Sequence, residues 1–469
     1  MIQDHVFREY DIRGIVGQDF DIASAYDLGH ALAVYFTTQN PAVKTVAVGQ
    51  DGRIHSQDIK QQLCAGLQDS GLDVIFIGTC TTPMLYFATH TLDVQAGLMV
   101  TASHNPKEYN GVKICLGTQS VYGAQVRVIR DLFGQKKRRT PIKTGQYTQQ
   151  PIKQQYIDWF IQQFAHLKNS SIAAIVDCGN GAAGTVLPDL IAAMNWANVQ
   201  LLYWQVDGTY PHHEADPTVE KNMGDLRAAL ADSDATIGMG LDGDCDRMAA
   251  MTKQGQLILG DKLLALFAQP IIAQHAGARF VVDVTTSSAL LELLEQAGAH
   301  TTLSPAGHAN IKQAMKASGA LLGGEVSCHF TFGDRHLGFD DGIYALFRLV
   351  ELLEQSGKTI EQLLMSYPVK VSTPNYRLAC SLDIRPTIVQ AVKNYYQQRA
   401  DVQLILVDGV RVQFSHGWAI IRLSNTEALL SLRFEAQTVS QVVELKKEFI
   451  AIMRDYIPYD FLVQQLEIA

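Results

Sequence analysis

A chain of 469 residues is longer than one hydrophobic core organises, so it reads as three or four domains. Its apolar fraction of 47% and charged fraction of 18% are those of an ordinary globular protein and exclude a disordered or fibrous chain. Asp and Glu outnumber Lys and Arg by 47 to 38, an acidic balance that argues against a nucleic-acid partner.

The opening fourteen residues carry Asp4, Arg8, Glu9, Asp11 and Arg13, which leaves no apolar core for a signal peptide. The seven cysteines (Cys64, Cys80, Cys115, Cys178, Cys245, Cys328, Cys380) are scattered and form no C-x-x-C pair, the usage of a reducing compartment. A cytoplasmic location is expected. Val46 to Gly49 is a buried strand handing over to a helix through Gln50-Asp51-Gly52-Arg53. The same grammar recurs at Ala174 to Val176 before Asp177-Cys178-Gly179-Asn180-Gly181, and at Phe280 to Val282 before Asp283-Val284-Thr285-Thr286. Three βα units about 100 residues apart suggest three related α/β domains with mixed, largely parallel sheets. The basic run Lys136-Lys137-Arg138-Arg139 reads as a solvated loop between domains. Leu263 to Ala273 is the most apolar stretch, but Gln269 and Pro270 interrupt it and it falls short of the ~20 residues that cross a bilayer. From Val369 onward the pattern changes to alternating strands, Val410 to Phe414, Trp418 to Leu423 and Leu429 to Phe434, flanked by helical patterns, which predicts a smaller α+β domain. Periodicity lapses at Thr140 to Gln150, at Lys253-Gln254-Gly255 and at Tyr367-Pro368, placing domains at residues 1–150, 151–254, 255–367 and 368–469.

Four loops between these elements carry chemistry. Thr101-Ala102-Ser103-His104-Asn105-Pro106 follows the apolar Ala96 to Val100, with Asn110-Gly111-Val112-Lys113 beyond it. A Ser-His dipeptide alone reads as a plain turn, since adjacent side chains seldom form a nucleophile and base. Asp242-Gly243-Asp244-Cys245-Asp246-Arg247 sets three carboxylates at every second position, hard oxygen ligands that suit Mg²⁺ or Ca²⁺, with room left for a phosphate oxygen as catalytic Mg²⁺ usually requires. An EF-hand wants Gly at its sixth position and Glu at its twelfth, where this chain has Arg247 and Lys253, and is rejected. Beside such a metal loop, Ser103 can carry a phosphoryl group, with Lys113 a further cation. Gly323-Gly324-Glu325-Val326-Ser327-Cys328-His329 brings backbone close to a ligand and offers Glu325 and Ser327 as grips for sugar hydroxyls; by itself it is a tight turn. Arg422-Leu423-Ser424-Asn425-Thr426-Glu427 is a compact phosphate cradle or, alone, a hairpin loop. Four such loops from four domains suggest one cleft.

In order and spacing, T-A-S-H-N-P, D-G-D-x-D-R, G-E-x-S and R-x-S-N-T resemble the α-D-phosphohexomutase superfamily over nearly the whole chain. Phe7-Arg8-Glu9-Tyr10-Asp11-Ile12-Arg13-Gly14 and Gly338-Phe339-Asp340-Asp341-Gly342-Ile343-Tyr344 resemble its bacterial phosphomannomutase/phosphoglucomutase group. The resemblance implies three α/β domains and an α+β domain around a central cleft. It implies a mutase that exchanges hexose 1-phosphate and hexose 6-phosphate, of mannose and/or glucose, with trace hexose 1,6-bisphosphate as intermediate and primer. Ser103 would be the phosphoserine and, through its phosphate, a ligand of Mg²⁺ with Asp242, Asp244 and Asp246. Arg247 would hold the sugar, Lys113 the transferring group, and Glu325 and Ser327 the hydroxyls. Arg422, Ser424, Asn425 and Thr426 would take the non-reacting phosphate, with Tyr10 and Arg13 closing from the first domain. His308 and His329 match positions near the substrate, as candidates for phosphate contact or proton transfer.

Three departures stand out. Asp283-Val284 is followed by Thr285 where the family usually has a phosphate-binding lysine; losing one charge-assisted hydrogen bond of about 1.5–3 kcal/mol implies a roughly 10- to 100-fold higher Kd. Loop glycines have become Cys245 and Cys328, and a side chain at Cys245 is strained if that position needs positive φ. Ala428 stands where proline is common. The expectation is a slower or differently selective mutase. The rivals are a hexose 1,6-bisphosphate synthase or phosphatase using the same serine, and a catalytically silent sugar-phosphate-binding protein.

Overall fold

A computed structural model describes residues 2–141, 143–381, 383–423 and 429–468. Among the described residues, four sheets follow one another along the chain. The chain gathers into two compact units, Met1–Phe267 with Ser327–Leu363, and Ala268–Val326 with Leu364–Ala469.

In the first unit, the first sheet runs parallel through Ala96–Val100, Thr45–Gln50, Asp73–Thr79 and Tyr147–Gln149. Tyr147–Gln149 lies inside the polar stretch read from sequence as a joint, and its exposed Thr148 and Gln149 explain why no apolar pattern announced it. On the other side of Ala96–Val100, Tyr109–Leu116 pairs antiparallel, followed by Ile12–Ile15. Val46, Val48, Ala96, Leu98 and Val100 are fully buried, the near-continuous apolar run of strands covered on both faces. The helices Ser24–Gln39 and Ser56–Asp69 touch through backbone: a Cβ on Gly66 would lie 2.1 Å from the Tyr26 carbonyl.

The second sheet carries Val199–Leu202, Ala174–Asp177 and Ile237–Leu241 in parallel, then Met248–Thr252 and Leu257–Ile258 in antiparallel. Ile237–Leu241 is its central strand, entirely buried. The turn from Leu241 to Met248 is therefore rooted in the core, and that turn is Asp242 to Arg247. Helix Gly342–Ser356 begins beside it, the Gly342 N–H donating to the Cys245 carbonyl at 3.0 Å.

In the second unit, Arg279–Asp283 pairs in parallel with His300–Ser304 and Leu322–Gly324. The last sheet is antiparallel throughout, with Gly417–Leu423 between Val410–Gln413 and Leu429–Ala436. Its helices Arg385–Gln397 and Val439–Met453 cover an apolar core of Val410, Val412, Leu430, Leu432 and Phe449, as the alternation predicted. Buried cations tie these two sheets together. Arg411 donates to the carbonyls of Val284 and Thr286 at 2.7 and 2.8 Å while stacking on Trp418, and Arg433 donates to that of Thr285 at 2.8 Å. Glu435 balances them and accepts from Ser288 N, Ser288 Oγ and Trp418 Nε1. The architecture is the expected one, three α/β domains and a C-terminal α+β domain. Among the described residues no helix is long and apolar enough to cross a membrane.

Candidate active site

Ser103 lies in the loop joining the antiparallel strands Ala96–Val100 and Tyr109–Leu116. It is 1% exposed and its φ is +51°, a left-handed conformation that costs an L-residue energy unless its surroundings impose it. They do. Thr101 Oγ1 accepts from Ser103 N at 2.9 Å, and the guanidinium of Arg53, 3% exposed, donates to the carbonyls of Ser103, Asn105, Pro106 and Tyr109 at 2.7, 2.5, 2.8 and 3.0 Å. Asp51 holds Arg53 Nε at 3.3 Å. Arg13, on Ile12–Ile15, donates to Asn105 Oδ1 at 2.6 Å and pairs with Asp11. Tyr10 packs near Tyr122, their ring centroids 6.4 Å apart.

Ser103 Oγ donates to Asp242 Oδ2 at 2.9 Å, so the serine loop and the aspartate loop of two domains meet. Close approach requires Gly243, where a Cβ would lie 2.4 Å from the Ser103 carbonyl. Asp242, Asp244 and Asp246 are fully buried and offer ligand oxygens within 4.8 Å of one another. Burial, then the charges of Asp246 and Asp244, push the Asp242 carboxyl well above the usual carboxylate range. Asp244 Oδ1 is buried with no hydrogen bond, while its Oδ2 takes Thr82 Oγ1 at 2.6 Å and Lys113 Nζ at 2.8 Å. Three hard oxygen donors that repel one another, with Asp244 Oδ1 left without a hydrogen bond, fit a small divalent cation. Burial alone would discharge Lys113, but Asp244 and Asp246 hold it above the ordinary lysine range.

Arg247 N donates to Asp242 Oδ1 at 3.1 Å and Arg247 Nε to His329 Nε2 at 3.2 Å. His329 Nε2 also lies 3.2 Å from Asp246 Oδ1, and its Nδ1 3.3 Å from Ser327 Oγ. Thus Ser103, Lys113, Arg247, His329 and the three aspartates form one cluster. His104, discounted in sequence as a mere turn neighbour, has Nδ1 3.1 Å from Ser103 Oγ. Burial and then Arg247, Arg13 and His329 depress it well below the usual histidine value, so it is a neutral imidazole beside the hydroxyl. Arg53 and Thr82 were also overlooked; the only signal for Arg53 was a charged Asp-Gly-Arg directly after a buried strand.

In the second unit Glu325, 5% exposed, accepts from Gly307 N at 2.6 Å, just ahead of His308, which opens the helix His308–Ser318. Ser327, in the turn that follows Glu325, has its Oγ 3.3 Å from His329 Nδ1 rather than sharing Gly307. Arg422 Nη1 donates to Asp408 Oδ2 at 3.0 Å. Ser424, Asn425 and Thr426, and with them Ala428, lie outside the described residues. Thr285 turns inward, its N–H 2.6 Å from Asp283 Oδ1 and its hydroxyl on the same oxygen. Cys245 and Cys328 have φ of +67° and +69° and are fully buried, so both positions are left-handed, a conformation that favours glycine.

A buried serine against a triad of carboxylates, on three α/β domains followed by an α+β domain, defines the class of the phosphohexomutases. The chain belongs to the phosphoglucomutase/phosphomannomutase family. The family's alpha/beta/alpha domains I, II and III match residues 4–140, 154–255 and 259–370, and its C-terminal domain matches 383–452. The chain is 36% identical over 463 residues to a phosphomannomutase/phosphoglucomutase of Pseudomonas syringae pv. tomato, covering 98% of this chain and 97% of that one. It is 35% identical to a phosphoglucomutase of Neisseria gonorrhoeae, with 96% of each covered. The crystal structure of a phosphoglucomutase/phosphomannomutase family protein from Burkholderia thailandensis matches with a TM-score of 0.90 at 31% identity, over 98% of this chain and 99% of that one.

Proposed function

We propose that the chain interconverts hexose 1-phosphate and hexose 6-phosphate, of mannose and/or glucose, through a phosphoserine at Ser103 and a hexose 1,6-bisphosphate, in a cytoplasmic setting that suits its free cysteines. The observation that carries this reading is the 2.9 Å hydrogen bond from Ser103 Oγ to Asp242, one of three buried carboxylates. Mg²⁺, held by Asp242, Asp244, Asp246 and the serine phosphate, would neutralise charge on the transferring group.

Ser103 gives its phosphoryl to the free hydroxyl of the bound monophosphate: the bond from phosphorus to Oγ breaks as that to the sugar oxygen forms, the hydroxyl proton passes to a neighbouring base, for which His329 is the candidate, and the departing Oγ takes up a proton in exchange for the phosphoryl, so that free serine results. The bisphosphate then presents its other phosphate, which returns to Ser103. Lys113 and Arg247 supply fixed positive charge beside the serine. His104, neutral and 3.1 Å from Oγ, accepts the serine proton when the hydroxyl is rephosphorylated. Glu325 and Ser327 grip hydroxyls, His308 contacts phosphate, and Arg422, Ser424, Asn425 and Thr426 take the non-reacting phosphate with Tyr10 and Arg13.

The test is a coupled assay of glucose 1-phosphate and mannose 1-phosphate with Mg²⁺ and trace 1,6-bisphosphate, beside the intact mass of the protein. A mutase yields the isomeric monophosphate and consumes only trace bisphosphate; a synthase or phosphatase accumulates or destroys it. Ser103→Ala should abolish both turnover and phosphate uptake. Phosphorylated wild-type protein that converts neither substrate would refute the proposal.

A further inference from the structure

Asp244 is held differently from the other two carboxylates of its loop. Thr82 grips it twice, through Thr82 N to the Asp244 carbonyl at 2.9 Å and Thr82 Oγ1 to Asp244 Oδ2 at 2.6 Å. Both residues are fully buried. Thr82 is itself immobile, because it opens the helix Thr82–Thr91, whose Thr81 caps the first turn by accepting from Met84 N and whose Pro83 fixes the backbone. Lys113 donates to the same oxygen, Oδ2, at 2.8 Å, so both donors lie on one side of the carboxylate and Oδ1 alone is left with no hydrogen bond.

We infer that Thr82 is the positioning residue of the metal loop: its hydroxyl fixes the rotation of the Asp244 carboxylate so that Oδ1 is the oxygen offered to a divalent cation. The inference rests on the reading of Asp242, Asp244 and Asp246 as a cation site. A hydrogen-bonding partner of a ligand fixes its orientation and spares the ion the cost of ordering it, and losing such a partner weakens metal affinity by roughly 10- to 100-fold. The hydroxyl comes from the serine-bearing domain, so the same contact also registers that domain on the metal loop.

The experiment uses full-length protein freed of metal by chelation and titrated with Mn²⁺ alone, bound ion being read from loss of the electron paramagnetic resonance signal of the free aquo ion. Thr82→Val, which keeps the volume and removes the hydroxyl, should weaken Mn²⁺ binding by roughly 10- to 100-fold. Thr82→Ser, which restores the hydroxyl, should recover wild-type affinity; a merely space-filling role predicts the reverse order. Should Thr82→Val fail to fold, Thr82→Ala carries the same comparison with Thr82→Ser. Equal affinity in wild type and Thr82→Val, or a serine variant as weak as the valine, overturns the inference while leaving the cation site standing. Wild-type protein that takes up no Mn²⁺ overturns the cation site and the inference together.

Discussion

Replacing Arg53 with lysine keeps the charge and changes only the shape of the donor, which makes it a sharp test of what holds Ser103 in place. Arg53 donates to the Ser103, Asn105, Pro106 and Tyr109 carbonyls and is paired in charge with Asp51. A lysine ammonium has three N–H groups at a single nitrogen, so at least one of these four buried carbonyls loses its donor. At about 1–3 kcal/mol for an orphaned group, Arg53→Lys costs at least roughly 1–3 kcal/mol. Stability of a folded unit is of order 5–15 kcal/mol, so the fold survives over much of that range. All four carbonyls belong to the serine loop, so the loss falls on the conformation that holds Ser103 at φ +51°. A shift of about 2 kcal/mol away from that conformer reduces its population roughly 30-fold. The rate at which glucose 1,6-bisphosphate phosphorylates Ser103, followed by intact mass, should fall by that order, and amide hydrogen exchange should accelerate across residues 103–109. A lysine variant that is phosphorylated at the wild-type rate with unchanged exchange would refute the reasoning.

Cys245→Gly should be more stable than Cys245→Ala by about 1 kcal/mol, the reverse of the usual order, because only glycine relieves the strain of φ +67°; denaturant midpoints of the two variants decide it. Thr285→Lys should lower the KM for hexose 1-phosphate by roughly 10-fold or more, as one restored charge-assisted contact to phosphate requires; an unchanged KM would mean that another group already binds that phosphate. His213 is raised in spite of its burial because Asp177 accepts from it at 3.1 Å. Its favourable contribution is therefore complete below the unfolded value of about 6.5 and lost as pH rises through the higher folded value, so the melting gap between wild type and His213→Gln should be widest near about pH 6 and narrow toward alkaline pH. A gap that widens with pH contradicts the assignment.

The parts of this molecule that the sequence displayed are those whose physics is local. Apolar runs such as Ala96–Val100 and Ile237–Leu241 are buried strands whatever surrounds them, and three aspartates at alternate positions have few reasons to coexist other than a shared cation. Tyr147–Gln149 escaped notice because an edge strand with polar, exposed side chains gets its identity from the hydrogen bonds of its neighbour, Asp73–Thr79. Arg53, Thr82 and Arg411 escaped for a related reason: each is a polar side chain whose partners are distant carbonyls or a carboxylate up to 162 residues away, a relation that no spacing along the chain encodes. The left-handed residues are an intermediate case. Cys245 and Cys328 were legible as departures from glycine, whereas Ser103, also left-handed, carried no such sign because the proposed chemistry calls for a hydroxyl there. Ser103 cannot be exchanged for the residue its backbone prefers, so the strain must be met from outside, by Arg53 beneath the loop and Thr101 beside it. With Ser103 as the proposed nucleophile, the need to hold an unfavourable conformation accounts for an arginine that donates to four carbonyls of its loop and does no chemistry of its own.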